Sequence, residues 1–155
     1  MFNEANITGS IPLEERVGLL ARVPLLALLP SSTMAHLAAK LQEEHFASDR
    51  VIVQEGDVGD RLYLIAAGKA EVTTTIPGGP VVLATLEAGE IFGEIALLLP
   101  RHRRQATVTA LAPLLTLTLP LQEFTQLLDL HPEARSVWEA AAETLLIAKF
   151  RSLSP

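Results

Sequence analysis

Apolar residues near the start of the chain recur at helical spacing. Leu13, Val17, Leu20 and Ala21 share one face, and Ser10 ahead of Ile11-Pro12 supplies a hydroxyl acceptor and a proline suited to a helix start. Pro24 and Pro30 then interrupt the helical pattern. Ser31 and Ser32 offer a second N-cap, and Met34, Leu37, Ala38 and Leu41 line one side of a helix reaching about residue 42. From 43 to 120 the texture changes to short runs rich in Val, Ile, Leu and Thr, separated by glycines. These runs predict strands over 44–47, 51–54, 61–66, 70–75, 81–86, 91–92, 105–110 and 114–119. Gly56, Gly59, Gly68 and Gly89 read as turn residues supplying positive φ.

Eight short strands of this kind predict a jelly-roll-like β-roll. One segment, 93–99, lacks alternation and carries Glu94, Ala96 and three leucines, so a short helix is expected there between strands. After Pro120, Leu121, Phe124, Leu127 and Leu128 return to helical spacing. A last helix starts near Pro132, with Val137, Trp138, Ala141, Leu145 and Ala148 on one stripe. The expected fold is mainly β with flanking helices: a helical N-terminus over 1–42, the roll over 43–120 and two C-terminal helices over 121–151.

The length of 155 residues fits one domain, and 49% hydrophobic with 19% charged residues supports a substantial core. A net charge of −6 disfavours general binding to nucleic acid or anionic lipid, so any anion site must be built locally. The absence of cysteine removes disulfides, thiolate metal sites and cysteine nucleophiles. No secretory leader is legible, which leaves the Asn6-Ile7-Thr8 sequon idle. The apolar stretch 17–29 is interrupted by Arg22 and Pro24 and is too short to span a bilayer. A cytoplasmic protein is expected. His36, His45, His102 and His131 are scattered without the paired spacing of metal ligands, so neither a metal-dependent jelly-roll enzyme nor a resident cofactor is expected.

The segment 92–108, FGEIALLLPRHRRQATV, carries the chemistry. The first turn of a helix offers backbone N–H groups and a positive dipole end, which together suit a phosphate. Glu94 at that position can accept a hydrogen bond from a sugar hydroxyl, or it can simply stabilise the helix terminus. Arg104 can return across the short helix to pair with phosphate oxygens through its planar fork. Gly93 lets a ligand approach the backbone. Arg101, His102 and Arg103 read as a solvated turn, and Thr107 is either a strand residue or a ligand contact.

This segment resembles the phosphate-binding cassette of cyclic-nucleotide-binding domains, whose pattern is F-G-E, an apolar run, then R-x-A-[ST]-V. Phe92-Gly93-Glu94, Ile95-Ala96-Leu97 and Arg104-Gln105-Ala106-Thr107-Val108 fill it. Looser similarity extends through Val23-Pro24-Leu25, Glu55 to Asp60, Tyr63-Leu64-Ile65 and the final helices. The resemblance implies a sensor without catalysis, in which Glu94 binds the ribose 2′-hydroxyl and Arg104 the cyclic phosphate. The backbone N–H groups of Ile95, Ala96 and Gln105 are further donors, and Gly93, Ala106 and Thr107 complete the expected ligand-binding set. An alternative register uses Arg103. Gln105 stands where relatives often carry Ser, Thr or Ala, which leaves the purine open with cAMP slightly ahead of cGMP.

The resemblance further implies that the last helix, about 133–150, covers the base and passes a signal to an effector. Trp138 reads as helix-to-roll packing, with a purine lid as its other reading. Leu146, Ile147 and Phe150 suggest a spare face for a partner or a second copy. Direct DNA binding is not expected, because only 151–155 follow the last helix and a helix-turn-helix needs more. The competing reading is a domain of this fold that has lost its ligand and serves as a scaffold or dimerisation unit.

Overall fold

The computed structural model describes residues 11–153. The predicted cap at Ser10 lies outside the described residues, as does the side chain of Phe150. Helix α1 (Leu13–Leu20) has Pro12 at its N-cap and Glu14 and Glu15 in its first turn, where carboxylates oppose the positive dipole end. A 3-10 turn at Leu26–Leu28 leads to α2 (Ser31–Lys40). Pro30, not Ser31, occupies the N-cap of α2, and no side chain caps it; both serines are already helical. Helix α2 also stops short of the expected residue 42. Leu41 turns extended and buried, and Gln42 pairs with Thr118 as the first residue of a strand.

Eight strands come next: β1 (Gln42–Phe46), β2 (Val51–Val53), β3 (Arg61–Ala67), β4 (Lys69–Ile76), β5 (Gly79–Glu87), β6 (Ile91–Phe92), β7 (Thr107–Ala110) and β8 (Leu114–Pro120). They form two antiparallel four-stranded sheets, ordered β1-β8-β3-β6 and β2-β7-β4-β5. The short helix α3 (Ile95–Leu98) joins β6 towards β7, and α4 (Leu121–Leu130) and α5 (Pro132–Leu153) end the described chain. Strand β7 starts two residues later than its alternation suggests. Gln105 and Ala106 lie in a bend, because the Arg104 backbone is bonded to the loop at Gly56 and Asp57 and not to a neighbouring strand.

Strands β3 and β8 read as nearly continuous apolar runs because both of their faces are buried. Side chains alternate across a strand, so Leu62 and Leu64 of β3, with Leu115, Leu117 and Leu119 of β8, face the helices. There they join Leu20, Leu26, Leu37, Phe124 and Trp138 in the larger core. Tyr63, Ile65 and Leu114 point the other way and pack with Ala70, Phe92, Val108 and Ala110 between the sheets. Fully burying one such side chain contributes about 1.5–3 kcal/mol, so β3 and β8 are the shared wall on which both cores depend.

The helical layer is pinned to this wall by Arg16. Its guanidinium donates to the carbonyls of Ile11 and Leu41 at 2.9 and 2.8 Å and pairs with Glu43 of β1 at 2.9 Å. The linked α1, α2 and β1 thus form a fixed platform behind the sheet that presents Tyr63 and Phe92 on its opposite face.

Candidate functional site

The two sheets and α3 enclose a cavity of about 300 Å3, at the lower end of the range for small-molecule sites. One wall is apolar: Val53, Val72, Leu86, Ile91, Phe92 and Val108. Val108 of β7 pairs with Val53 of β2 on one side and with Val72 of β4 on the other, so three valines form one row across the sheet. The opposite wall is polar and comes from the cassette: Gly93, Glu94, Ile95, Ala96, Arg104, Gln105 and Ala106 all line the cavity. Thr107 does not lie on that wall; its hydroxyl accepts the Glu55 N–H at 3.0 Å and ties β7 to the end of β2.

Arg104 is half-buried and crosses from the cassette to the start of β3. One terminal nitrogen donates to the Arg61 carbonyl at 3.0 Å, and the other lies 3.4 Å from the Gly93 carbonyl. Its backbone is fixed as firmly, with its N–H on the Asp57 carbonyl at 2.6 Å and its carbonyl accepting from Gly56 at 2.8 Å. Burial lowers the pKa of this guanidinium, a trend opposed by Tyr63, Asp60 and Glu94. An arginine so displaced still carries its charge at neutral pH. Burial therefore leaves a poorly hydrated cation at the cavity wall, electrostatically coupled to Glu94.

Glu94 holds the N-cap of α3, where its carbonyl accepts the Leu97 N–H at 3.0 Å. The expected donor Ala96 is engaged differently: its N–H bonds the Gly93 carbonyl at 3.1 Å, closing the first turn of α3 on itself. Gly93 has a φ of 82°, and a Cβ there would sit 2.7 Å from an Arg104 nitrogen and 2.9 Å from the Arg61 carbonyl. The glycine thus makes room for the arginine as well as for any ligand.

Gly59 corrects the turn reading. It has no positive φ, and its lack of a side chain serves close approach: a Cβ would meet the Arg104 guanidinium at 2.9 Å. Arg103, the alternative register, also borders the cavity, but it is exposed and its guanidinium donates to the Gly56 carbonyl at 2.7 Å. His102, expected in a solvated turn, instead lines the cavity. Val53, Val72, Leu86, Gly59 and His102 are thus wall residues that the sequence pattern did not single out. The valines carried only the strand alternation common to every other run, and strand register is what places them together.

Residues 43–131 match the cyclic nucleotide-binding domain profile. The chain belongs to this family. It is 42% identical over 113 residues to a cAMP-dependent protein kinase regulatory subunit of Yarrowia lipolytica, covering 72% of this chain and 29% of that protein. It is 36% identical over 125 residues to cGMP-dependent protein kinase, isozyme 1, of Drosophila melanogaster, covering 78% of this chain and 16% of the kinase. Among solved structures it is similar to the N-terminal domain of a transcriptional regulator from Streptomyces coelicolor A3(2), with a TM-score of 0.76 at 31% identity over 88% of this chain and 96% of that one. The chain spans about a third or less of the curated relatives it matches. As a cyclic-nucleotide-binding domain it has the family's eight-stranded roll with flanking helices. Among the described residues no helix is long and apolar enough to cross a membrane, and no three His, Asp or Glu side chains are grouped to hold a metal ion.

Proposed function

We propose that the chain is a non-catalytic cyclic-nucleotide sensor that binds cAMP, and cGMP less tightly, in the cavity between α3 and the sheets. The observation that carries this reading is the placement of Glu94 and Arg104 on one cavity wall, electrostatically coupled, with Arg104 half-buried. A cyclic mononucleotide offers a hydroxyl donor beside an anionic phosphate, the two groups that a carboxylate and a guanidinium recognise. The valine row and Phe92 supply the apolar surface for the remainder of the ligand. The greater identity to the relative named for cAMP than to the one named for cGMP favours the adenine ligand.

On binding, Arg104 releases at least one carbonyl and turns its fork to the phosphate. Helix α3, which packs against α5, carries the change to the C-terminal helices and from there to an effector in the cytoplasm. No resident cofactor is required. Calorimetric titration with cAMP and with cGMP tests the reading on the wild type and on Arg104→Ala. Removing one partner of a desolvated charge pair costs about 2–5 kcal/mol. An Arg104→Ala variant that binds as tightly as the wild type would overturn the assignment.

A further inference from the structure

The backbone of Arg104 is held from the loop between β2 and β3. There the Asp57 carbonyl accepts the Arg104 N–H, the Gly56 N–H donates to the Arg104 carbonyl, and the Gly59 N–H donates to the carbonyl of His102. Such a brace fixes Arg104 only if its own root is fixed, and that root is Glu55. We propose that Glu55 is a positioning residue for ligand binding, which sets the Arg104 guanidinium against the apolar wall of the cavity. The inference rests on the cyclic-nucleotide reading.

Glu55 follows β2 and is partly buried. One carboxylate oxygen accepts the Thr75 N–H at 3.1 Å, and the other accepts from the Thr74 hydroxyl at 3.1 Å, so the side chain grips two successive residues of β4. Its own N–H donates to the Thr107 hydroxyl at 3.0 Å, at the start of β7. Thr74 shares a face of β4 with Val72 of the apolar wall, because side chains two apart on a strand point the same way. The carboxylate therefore ties the loop that holds Arg104 to the strand that supplies the opposite wall.

Thr74 has a second acceptor nearby, the Gln105 carbonyl at 3.4 Å. A hydroxyl has one proton, and the nearer, charged oxygen takes it. Without the carboxylate the Thr74 proton turns to Gln105, the Thr75 N–H loses its acceptor and the root of the brace is released. Glutamine at 55 keeps the grip by other means: its oxygen accepts the Thr75 N–H, its nitrogen donates to the Thr74 oxygen, and the Thr74 proton goes to Gln105. Charge alone predicts the opposite outcome to positioning. A carboxylate near the cavity repels a cyclic phosphate, so its loss as a charge tightens binding, whereas its loss as a brace weakens it.

The test is calorimetric titration of the full chain with cAMP for Glu55→Ala and Glu55→Gln, each made in the wild type and in Arg104→Lys, with thermal melts of every variant. Glu55→Ala is expected to weaken binding about tenfold, and Glu55→Gln to restore it to within about threefold of the wild type. In the Arg104→Lys background the alanine substitution is expected to cost less than about threefold, because an ammonium on a flexible stem has no planar fork to misplace. Three results overturn the inference and leave the sensor reading intact: unchanged or tighter binding in Glu55→Ala, an equal loss in both backgrounds, or a loss in Glu55→Gln as large as in Glu55→Ala. Should Glu55→Ala fail to fold, Thr74→Val keeps a β-branched strand residue without the hydroxyl. It is expected to weaken cAMP about threefold, and wild-type affinity in that variant overturns the inference as well. Failure of the wild-type chain to bind cAMP removes both readings.

Discussion

Gly59 and Arg104 approach so closely that a Cβ on the glycine would sit 2.9 Å from the guanidinium carbon. Gly59 has an ordinary φ, and what a side chain there would strike is the flexible end of the arginine. Gly93 differs on both counts: its φ is 82°, and its added Cβ would also strike the backbone carbonyl of Arg61 at 2.9 Å. Gly59→Ala is therefore expected to change stability by no more than about 0.5 kcal/mol, while weakening cAMP about tenfold by displacing the guanidinium. Gly93→Ala is expected to cost about 1–3 kcal/mol of stability as well. Thermal melts paired with calorimetry separate the two, and equal destabilisation by both substitutions would contradict this account.

Arg104→Lys isolates the fork from the charge. In the structure the two terminal nitrogens reach two different carbonyls, those of Arg61 and Gly93, a span that a single ammonium does not reproduce. Lysine at 104 is expected to bind cAMP more weakly than wild type by about 10-fold or more, corresponding to at least about 1.4 kcal/mol. Salt should weaken its binding more steeply, because a better-hydrated point charge relies on attraction that is screened. Wild-type affinity in this variant would mean that the bidentate geometry goes unused.

How far these relationships could be read from the chain depends on what fixes them. The inserted helix, the two terminal helices and eight strands arise from a period of 3.6 giving way to 2 and back again, and local sequence sets that period. The motif around Glu94 and Arg104 was legible because both lie within one short segment. Val53, Val72 and Val108 were not, since their meeting depends on strand pairing between residues far apart in sequence. Gly59 looked like any turn glycine, although the atom it avoids belongs to Arg104. His102 looked like part of a solvated basic run, and only the hydrogen bond from Gly59 shows it held against the cavity. The bend at Gln105 escaped the alternation because bonds from Gly56 and to Asp57 hold the chain out of the sheet there.

Tyr63 gives a pH signature of the core that backs Phe92 of the cavity wall. It stacks on Phe92 with ring centres 4.8 Å apart and planes 8° from parallel, and its burial raises the phenol pKa, with Arg61 and Arg104 opposing. A value raised in the folded state favours the fold while the phenol is protonated. That contribution is complete below the unfolded pKa of about 10 and is lost as pH climbs through the folded value. Tyr63 is the chain's sole tyrosine, so an ultraviolet titration reads it alone. The phenol is expected to ionise above the free amino acid, and Tyr63→Phe is expected to flatten part of the alkaline loss of stability. Ionisation at or below the free value would show the ring to be more open than the structure has it.

Trp138 connects the core to the proposed movement of α5. It is buried against Phe124, with ring centres 5.0 Å apart at 65°, yet its indole N–H has no hydrogen-bond partner among the described residues. The ring thus supplies packing, while its buried donor costs stability. Trp138→Ala is expected to lose about 3–5 kcal/mol, whereas Trp138→Phe, which keeps a ring and removes the unpaired donor, should cost less than about 1.5 kcal/mol. The same residue is the only tryptophan in the chain, so its emission reports the α4–α5 contact without interference. If α5 shifts when cAMP binds, the indole exchanges its apolar surroundings for a partner or for water, and its emission moves to longer wavelength in step with calorimetric saturation. Saturation with no change in emission would leave this contact static and route any signal through another part of the helical layer.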